Sequence, residues 1–314
     1  MNVSTLAPVV LFVYNRYEHT KKTIEALKSN ELAEYSNLFI FSDGAKKEEN
    51  IKSVQQVRTY IYKIEGFKSV SIIEREKNIG LAESVINGVT EILKKFGKVI
   101  VLEDDIVTAP CFLTYMNKAL EFYINEKKVF SISGYSYTTN VKNRYLDGNY
   151  FFKMGECWSW ATWKDRWDYF DKDASGWQEL LYNSKMRYEF NLNNSYDYTT
   201  MLKSQMENNI NSWAIRWYWS VFRQNGLTLY PQKAIISNIG LDGSGVHCSR
   251  GEISGNILNN NVSYAFPEEV YEKSKIRLLI IKEIRKQRIK FSKKVIVKSK
   301  LILRNLFHVN KLFT

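Results

Sequence analysis

The chain is poor in the residues that mark several large protein classes. Its 314 residues include three cysteines, Cys111, Cys157 and Cys248. They are far apart and odd in number, so no spacing suits zinc and no disulfide framework is implied. A reducing compartment is the expectation. No stretch approaches the roughly 18 consecutive apolar residues of a membrane span. The apolar run at 6–14 is short and ends in Asn15-Arg16, so it reads as a strand and not as a signal peptide. No Gly-x-Gly-x-x-Gly follows that strand and no phosphate-binding P-loop occurs anywhere, which leaves a dinucleotide or ATP-grip reading without support.

Acid is scarce in one place only. Residues 273–314 hold 14 Lys and Arg against a single acid, Glu283, a net of +13; the whole chain carries +12, so residues 1–272 come to −1. The body is nearly neutral, and the high overall charge says nothing about its substrate. An apolar fraction of 45% is ordinary for a globule of this length.

Residues 98–105 (KVIVLEDD) organise the rest. Four apolar residues run into Glu103, Asp104 and Asp105. Such a run predicts a strand buried on both faces. Three adjacent acids cannot share that burial, so they belong where the strand leaves the sheet, which is where open α/β sheets bind ligands. Mutual repulsion among them is relieved by a hard divalent cation, Mn²⁺ or Mg²⁺, which takes one or two carboxylates plus substrate phosphates. Further strands are predicted at 8–14, 37–42 and 69–73, with helices over 18–29, 50–65 and 81–96, the last stopped by Gly97. This β-α-β-α-β-α-β order predicts a parallel sheet with right-handed crossovers. Asn15-Arg16, Asp43-Gly44 and Asn78-Gly80 then punctuate the same sheet edge as the acids. Asp43 suits a ribose hydroxyl.

The segments PVVLFVYNR, FSDG, KNIGLAESVINGV and VIVLEDDIVTAPCFL resemble the nucleotide-sugar half of GT-A glycosyltransferases. They are similar to family 2 enzymes, and closer to the N-acetylglucosaminyltransferase I type, which has Glu-Asp-Asp where others have Asp-x-Asp. The resemblance covers about residues 7–125 well and 150–250 more loosely. It implies a GT-A fold: α/β, Rossmann-like, with a mostly parallel central sheet flanked by helices. It also implies that Asn15, Arg16, Asp43 and Asn78 lie near the nucleotide, Glu103 and Asp104 on the ribose side, and Asp105 on the metal. By the same likeness, residues 155–158 (GECW) match the glycine loop that meets donor sugar and acceptor. The Gly-rich stretch 237–247 matches a mobile closing loop, whose terminal His247 is then a metal ligand.

A helix is predicted over 110–123, a strand at 130–135 and a loop at 136–149. All eight tryptophans lie between 158 and 219. Trp160, Trp163 and Trp167 have the i, i+3, i+7 spacing of a helical stripe packed in a core. Trp158 offers a flat apolar face to a sugar ring. Related inverting enzymes place their general base near the helix that matches 212–224, but this chain has Ile215-Arg216-Trp217 there and no carboxylate. Glu156 is the first substitute, followed by Asp242 and Asp165; Arg216 is a candidate for neutralising a phosphate.

The last stretch repeats every 11 residues: Ile280, Phe291 and Ile302; Ile284, Val295 and Leu306; Lys282, Lys293 and Arg304. Eleven residues make about three helical turns. This predicts an amphipathic basic helix lying on an anionic membrane surface; the rival readings are a nucleic-acid arm, which the lack of glycine and interleaved stacking aromatics disfavours, and a coiled-coil seam, which the lack of acidic partners disfavours. The expected organisation is a transferase domain at 1–266, its nucleotide-sugar half at 1–125 and its acceptor half at 126–266, followed by a basic helical tail at 267–314. The expected function is metal-dependent transfer of a sugar from a nucleoside diphosphate donor, a UDP-sugar first among them, to a hydroxyl of a lipid-linked or growing glycan. The expected setting is bacterial surface-polysaccharide assembly at the cytoplasmic face of the membrane. A nucleotidyltransferase with a similar acidic site and a non-catalytic membrane-associated homologue are the rival readings.

Overall fold

The computed structural model describes residues 3–139, 141, 148–242, 258 and 260–286. The first strands form where the apolar runs predict them: β1 (Val9–Val13), β2 (Asn37–Ser42), β3 (Ser69–Glu74) and β4 (Lys98–Glu103). Between them run α1 (Tyr17–Lys28), α2 (Ile51–Ile61) and α3 (Leu81–Phe96). A short strand β5 (Ile106–Thr108) and helix α4 (Phe112–Phe122) follow, then β6 (Val129–Ser133), β7 (Tyr150–Phe152) and β8 (Ser159–Trp163). Four helices come next: α5 (Lys164–Trp167), α6 (Glu179–Tyr182), α7 (Ser184–Phe190) and α8 (Tyr198–Met206). Helix α9 (Trp213–Arg223) and strands β9 (Leu227–Tyr230) and β10 (Ile236–Asn238) follow.

The main sheet has eight strands in the order β3-β2-β1-β4-β8-β6-β9-β7. Strands β3, β2, β1 and β4 are all parallel. The other half is mixed: β8 runs antiparallel to both β4 and β6, β6 is parallel to β9, and β7 is antiparallel to β9. The sheet is thus parallel where the sequence predicts it and mixed beyond, within the α/β architecture expected.

Period-2 alternation puts both faces of β1 in a core. Val9, Leu11 and Val13 pack with α1, α2 and α4 on one side, while Val10 and Phe12 pack with α3 and α9 on the other. The change of side has a topological cause. The chain steps from β1 outward to β2 and β3, then returns across β1 to β4. Right-handed crossovers therefore put α1 and α2 on one face and α3 on the opposite one. The carboxyl ends of β1 and β4 flank the switch point, where such sheets open a ligand crevice.

Two expectations are corrected. Trp160 and Trp163 lie on strand β8, not on a helix, and only Trp167 is helical. Residues three apart on a strand face opposite sides, and these two do: Trp163 joins one core and Trp160 the other. The expected burial holds, with all three at 4% exposure or less. The second correction concerns the tail. Residues 274–286 are helical, but Ile276, Ile280, Ile281 and Ile284 are buried against Tyr150, Phe152, Leu192 and Tyr230 of the body. In this segment the apolar strip faces protein and is not available to lipid. Phe291, Lys293, Val295, Ile302, Arg304 and Leu306 lie outside the described residues.

Candidate functional site

Strand β1 ends in Asn15-Arg16, and β4 ends in the acidic turn, with Phe12 paired to Glu103 across the two strands. Arg16 precedes α1, and its carbonyl accepts the Thr20 N–H and hydroxyl, both at 2.9 Å. Its guanidinium reaches back over the turn. Nη2 bonds Asp104 Oδ1, Nε lies 3.4 Å from Asp104 Oδ2, and Nη2 donates to Asp105 Oδ2 at 2.8 Å. The two aspartates are 4% and 6% exposed, so two almost fully buried carboxylates share one cation. Burial works against the charge on Arg16, but Asp104 and then Asp105 outweigh it and hold the guanidinium above its ordinary range. Burial pushes the Asp104 carboxyl up to about 6 against the pull of Arg16. Glu103 is also raised, by burial first and then by Asp105 and Asp104, while Arg16 and the Trp213 indole favour its ionised form.

A strap crosses in front. β10 pairs antiparallel with β5, just past the acidic turn. The Ile239 N–H donates to the Asp105 carbonyl at 2.9 Å. Gly240 lies so close to the Asp105 carboxylate that any side chain there would collide with it. Asp242, half-exposed at the end of the strap, pairs with His19 Nε2 at 3.2 Å. Asp242 is thereby engaged at the rim with α1. His247 lies outside the described residues.

Asp43 does not present a free carboxylate. Its oxygens accept the N–H groups of Gly44 (3.0 Å), Ile79 (3.0 Å) and Gly80 (2.9 Å). In return Asn78 Nδ2 donates to the Gly44 carbonyl at 2.8 Å. Two of the four residues expected near the nucleotide, Asp43 and Asn78, therefore staple the β2 end to the start of α3 and shape the crevice wall. Arg216 is 6% exposed and turned along its own helix toward the Ser212 carbonyl (3.2 Å), the Lys172 carbonyl (3.5 Å) and Asn211 Oδ1 (3.5 Å). These bonds brace the start of α9. Asp165 pairs with Lys127 and Arg166. It follows β8 where Trp163 opposes Lys98, the amino end of β4, so it is far from the acidic turn.

The register that removes Asp165 brings Glu156 in. Leu102 of β4 opposes Ser159 of β8, so residues 156–158 run beside the acidic turn. Glu156 is 5% exposed. Its Oε1 accepts the Cys157 and Trp158 N–H groups at 2.9 and 3.3 Å. Its Oε2 is buried without a hydrogen-bond partner among the described residues. Burial pushes the carboxyl up to about 6, against those two N–H groups; the Tyr230 and Ser133 hydroxyls also favour the charge, though without meeting hydrogen-bond geometry. Trp158 is half-buried and stands edge-on to Tyr135, with centroids 4.8 Å apart.

Sequence reasoning passed over three features. His19 is one turn along α1 from Arg16, a spacing that does signal a shared face. Trp213 beside Glu103 and Glu272 behind the 153–158 loop are contacts across the fold with no local signal.

No protein-family model matches the chain, and no curated protein does. Among solved structures, the chain is similar to the mannosyltransferase PcManGT from Pyrobaculum calidifontis in complex with GDP-Man and Mn²⁺. That likeness has a TM-score of 0.29 and 13% identity, over 40% of this chain and 34% of that one. It is similar to S. aureus TarS with a TM-score of 0.28 and 13% identity, over 40% of this chain and 21% of that one. It is also similar to a cytidylyltransferase from Leptospira borgpetersenii, with a TM-score of 0.33 and 9% identity, over 52% of this chain and 63% of that one. The chain spans less than two thirds of each neighbour, and at TM-scores of 0.28 to 0.33 none of them names an activity for it.

Proposed function

We propose that this chain is a glycosyltransferase that moves a sugar from a nucleoside diphosphate donor to a hydroxyl of a glycan or lipid-linked acceptor. One juxtaposition carries the reading. At the switch point of the sheet, a cation-bearing β1 end, a buried acidic β4 end and the Glu156 loop lie side by side. That combination suits a reaction with an anionic leaving group and a proton to remove.

In this reading the diphosphate lies over the acidic turn beside Arg16, and the crevice wall stapled by Asp43 and Asn78 receives the nucleoside. Asn15, half-buried at the end of β1, lines the same edge. Trp158 offers its face to a sugar ring. The acceptor oxygen bonds the anomeric carbon as the bond to the diphosphate breaks and its electron pair leaves with the phosphate. The acceptor proton passes to Glu156 Oε2, the buried oxygen without a partner.

No group of three or more metal-ligating side chains occurs among the described residues; Asp104 and Asp105, two buried carboxylates that converge on one positive group, would hold a divalent cation together with the donor's phosphate oxygens. Mn²⁺ or Mg²⁺ held there supplies charge neutralisation to the leaving diphosphate. A UDP-sugar is the first donor to try. A place at the inner face of a bacterial membrane, reached through the basic stretch beyond 286, belongs to the same proposal. No helix among the described residues is long and apolar enough to cross a membrane.

The test is a thermal-shift panel of nucleoside diphosphates and their sugars with Mn²⁺, on wild type and Asp105→Asn. A ligand at about 100 times its dissociation constant stabilises by about 2.7 kcal/mol. The expected result is a rise with one nucleotide family that Asp105→Asn loses. A cooperative melt that no nucleotide moves overturns the proposal. Product analysis separates the rival chemistry, since a glycosyltransferase releases nucleoside diphosphate and a nucleotidyltransferase releases pyrophosphate.

A further inference from the structure

The acidic turn raises a question of charge. Two buried aspartates need a counter-ion whether or not a ligand is present, since an uncompensated buried charge is strongly destabilising. Arg16 supplies it, bonding both carboxylates with the same Nη2. Its backbone is fixed by Thr20, whereas its side chain is 20% exposed. The anchor is held and the guanidinium has a way out.

A cation arriving alone has to displace Arg16 from both Asp104 and Asp105. The guanidinium then loses both anionic partners while still partly desolvated. The strap adds to the obstacle, because Gly240 abuts the Asp105 carboxylate and Asp242 is fastened to His19. A diphosphate changes the balance. It offers Arg16 a new anionic partner in planar, bidentate geometry, and it brings further oxygen ligands for the cation. Each ligand removes the penalty that opposes the other, and such coupling is reciprocal.

We propose that Arg16 is a placeholder for the divalent cation: it holds the cation's position on Asp104 and Asp105 in the unliganded protein and makes cation binding conditional on the donor diphosphate. This rests on the glycosyltransferase reading for the identity of the diphosphate, but the placeholder itself is read from the turn alone. Arg16 acts here as a gate on the site.

The experiment measures Mn²⁺ binding directly, by calorimetry and by loss of the free-ion electron paramagnetic resonance signal. It uses the full chain as wild type, Arg16→Ala, Arg16→Gln and Arg16→Ala/Asp105→Asn, each without nucleotide and with UDP or GDP. Arg16→Gln keeps the comparison open should the alanine variant fold poorly. The expected result has three parts. Wild type binds Mn²⁺ alone at least tenfold more weakly than with its nucleotide. Removing the guanidinium raises affinity for Mn²⁺ alone at least tenfold and shrinks the nucleotide effect. Adding Asp105→Asn abolishes the gain. Equal affinity of wild type and both Arg16 variants for Mn²⁺ alone overturns the placeholder, even if nucleotide binds. Nucleotide affinity that EDTA leaves unchanged overturns the conditional part. If the variants gain Mn²⁺ affinity but neither nucleotide binds any form, the placeholder stands and the donor reading falls.

Discussion

Glu156 shows what burial does to a single carboxylate and why that matters to function. Its ordinary value is 4.5, and burial carries it to about 6 in the folded protein. Between those values the folded state holds a proton that the unfolded state has lost. Stability therefore falls as pH rises through that window, by about 1.4 kcal/mol for each tenfold weakening of the acid on folding. Above pH 6 the folded protein keeps an ionised carboxylate with one oxygen unpartnered among the described residues, an arrangement that persists where it serves a function. Two outcomes follow for Glu156→Gln. At pH 7.5 the variant melts higher than wild type, by up to about 2 kcal/mol in stability, and the gap closes at pH 4.5. On the proposed function, transferase activity rises with pH through about 6 in wild type as the base ionises, and in the variant it falls by 10²-fold or more, the ordinary contribution of a positioned base being roughly 10² to 10⁴. A variant that is both active and no more stable would remove Glu156 from the base role. The sequence made this residue visible only through its loop. That Oε2 has no hydrogen-bond partner among the described residues depends on a strand pairing that no local pattern announces.

At the scale of elements, legibility follows how local the determinants are. The parallel half was readable because β1, β2 and β4 are continuous apolar runs and each helix has its own periodicity. Gly97, at φ 74° with its N–H on the Leu93 carbonyl, ends α3 where the glycine predicts. The tryptophan segment misled because an i, i+3, i+7 pattern here straddles the end of a strand and a one-turn helix. The helix at 274–286 misled differently: its amphipathic pattern is real, but pattern alone cannot say whether protein or lipid covers the apolar face. Docked on the body, it also touches the site indirectly. Glu272 accepts the Lys153 N–H at 2.9 Å and pairs with Arg277 at 3.0 Å, and Arg277 in turn donates to Asn193. Two consequences separate a docked helix from a free arm. Ile280→Ala lowers stability by about 2–5 kcal/mol, as for other fully buried large-to-small changes, read as a lower denaturation midpoint. Glu272→Ala frees the Lys153 amide and speeds hydrogen exchange across 153–158. A free arm gives no change in either measurement.

For the whole molecule the relevant quantity is where the charge lies. Residues 1–272 carry a net of −1, and the docked helix brings residues 1–286 to +4, a smaller excess than the +8 of residues 287–314. Up to Lys286 the tail contributes six bases and one acid, and two of those bases, Arg277 and Arg285, are turned onto Asn193 of the body. The remaining eight bases fall at 287–314 with no acid among them. If that segment meets an anionic leaflet, each base near the surface adds about 1 kcal/mol, an attraction that weakens as salt shortens the screening length from about 8 Å to 3 Å. A chain ended after Lys286 keeps the docked helix, Glu272 and the whole crevice, so its melting temperature and its response to nucleotide match the full chain. It loses sedimentation with vesicles rich in phosphatidylserine, whereas the full chain sediments at 0.1 M salt and much less at 1 M. Retained vesicle binding in the shortened chain would move the membrane contact onto the body. A shortened chain that no longer melts cooperatively would mean that 287–314 belongs to the folded unit, and the body's boundary at Lys286 would then have to be redrawn to include it.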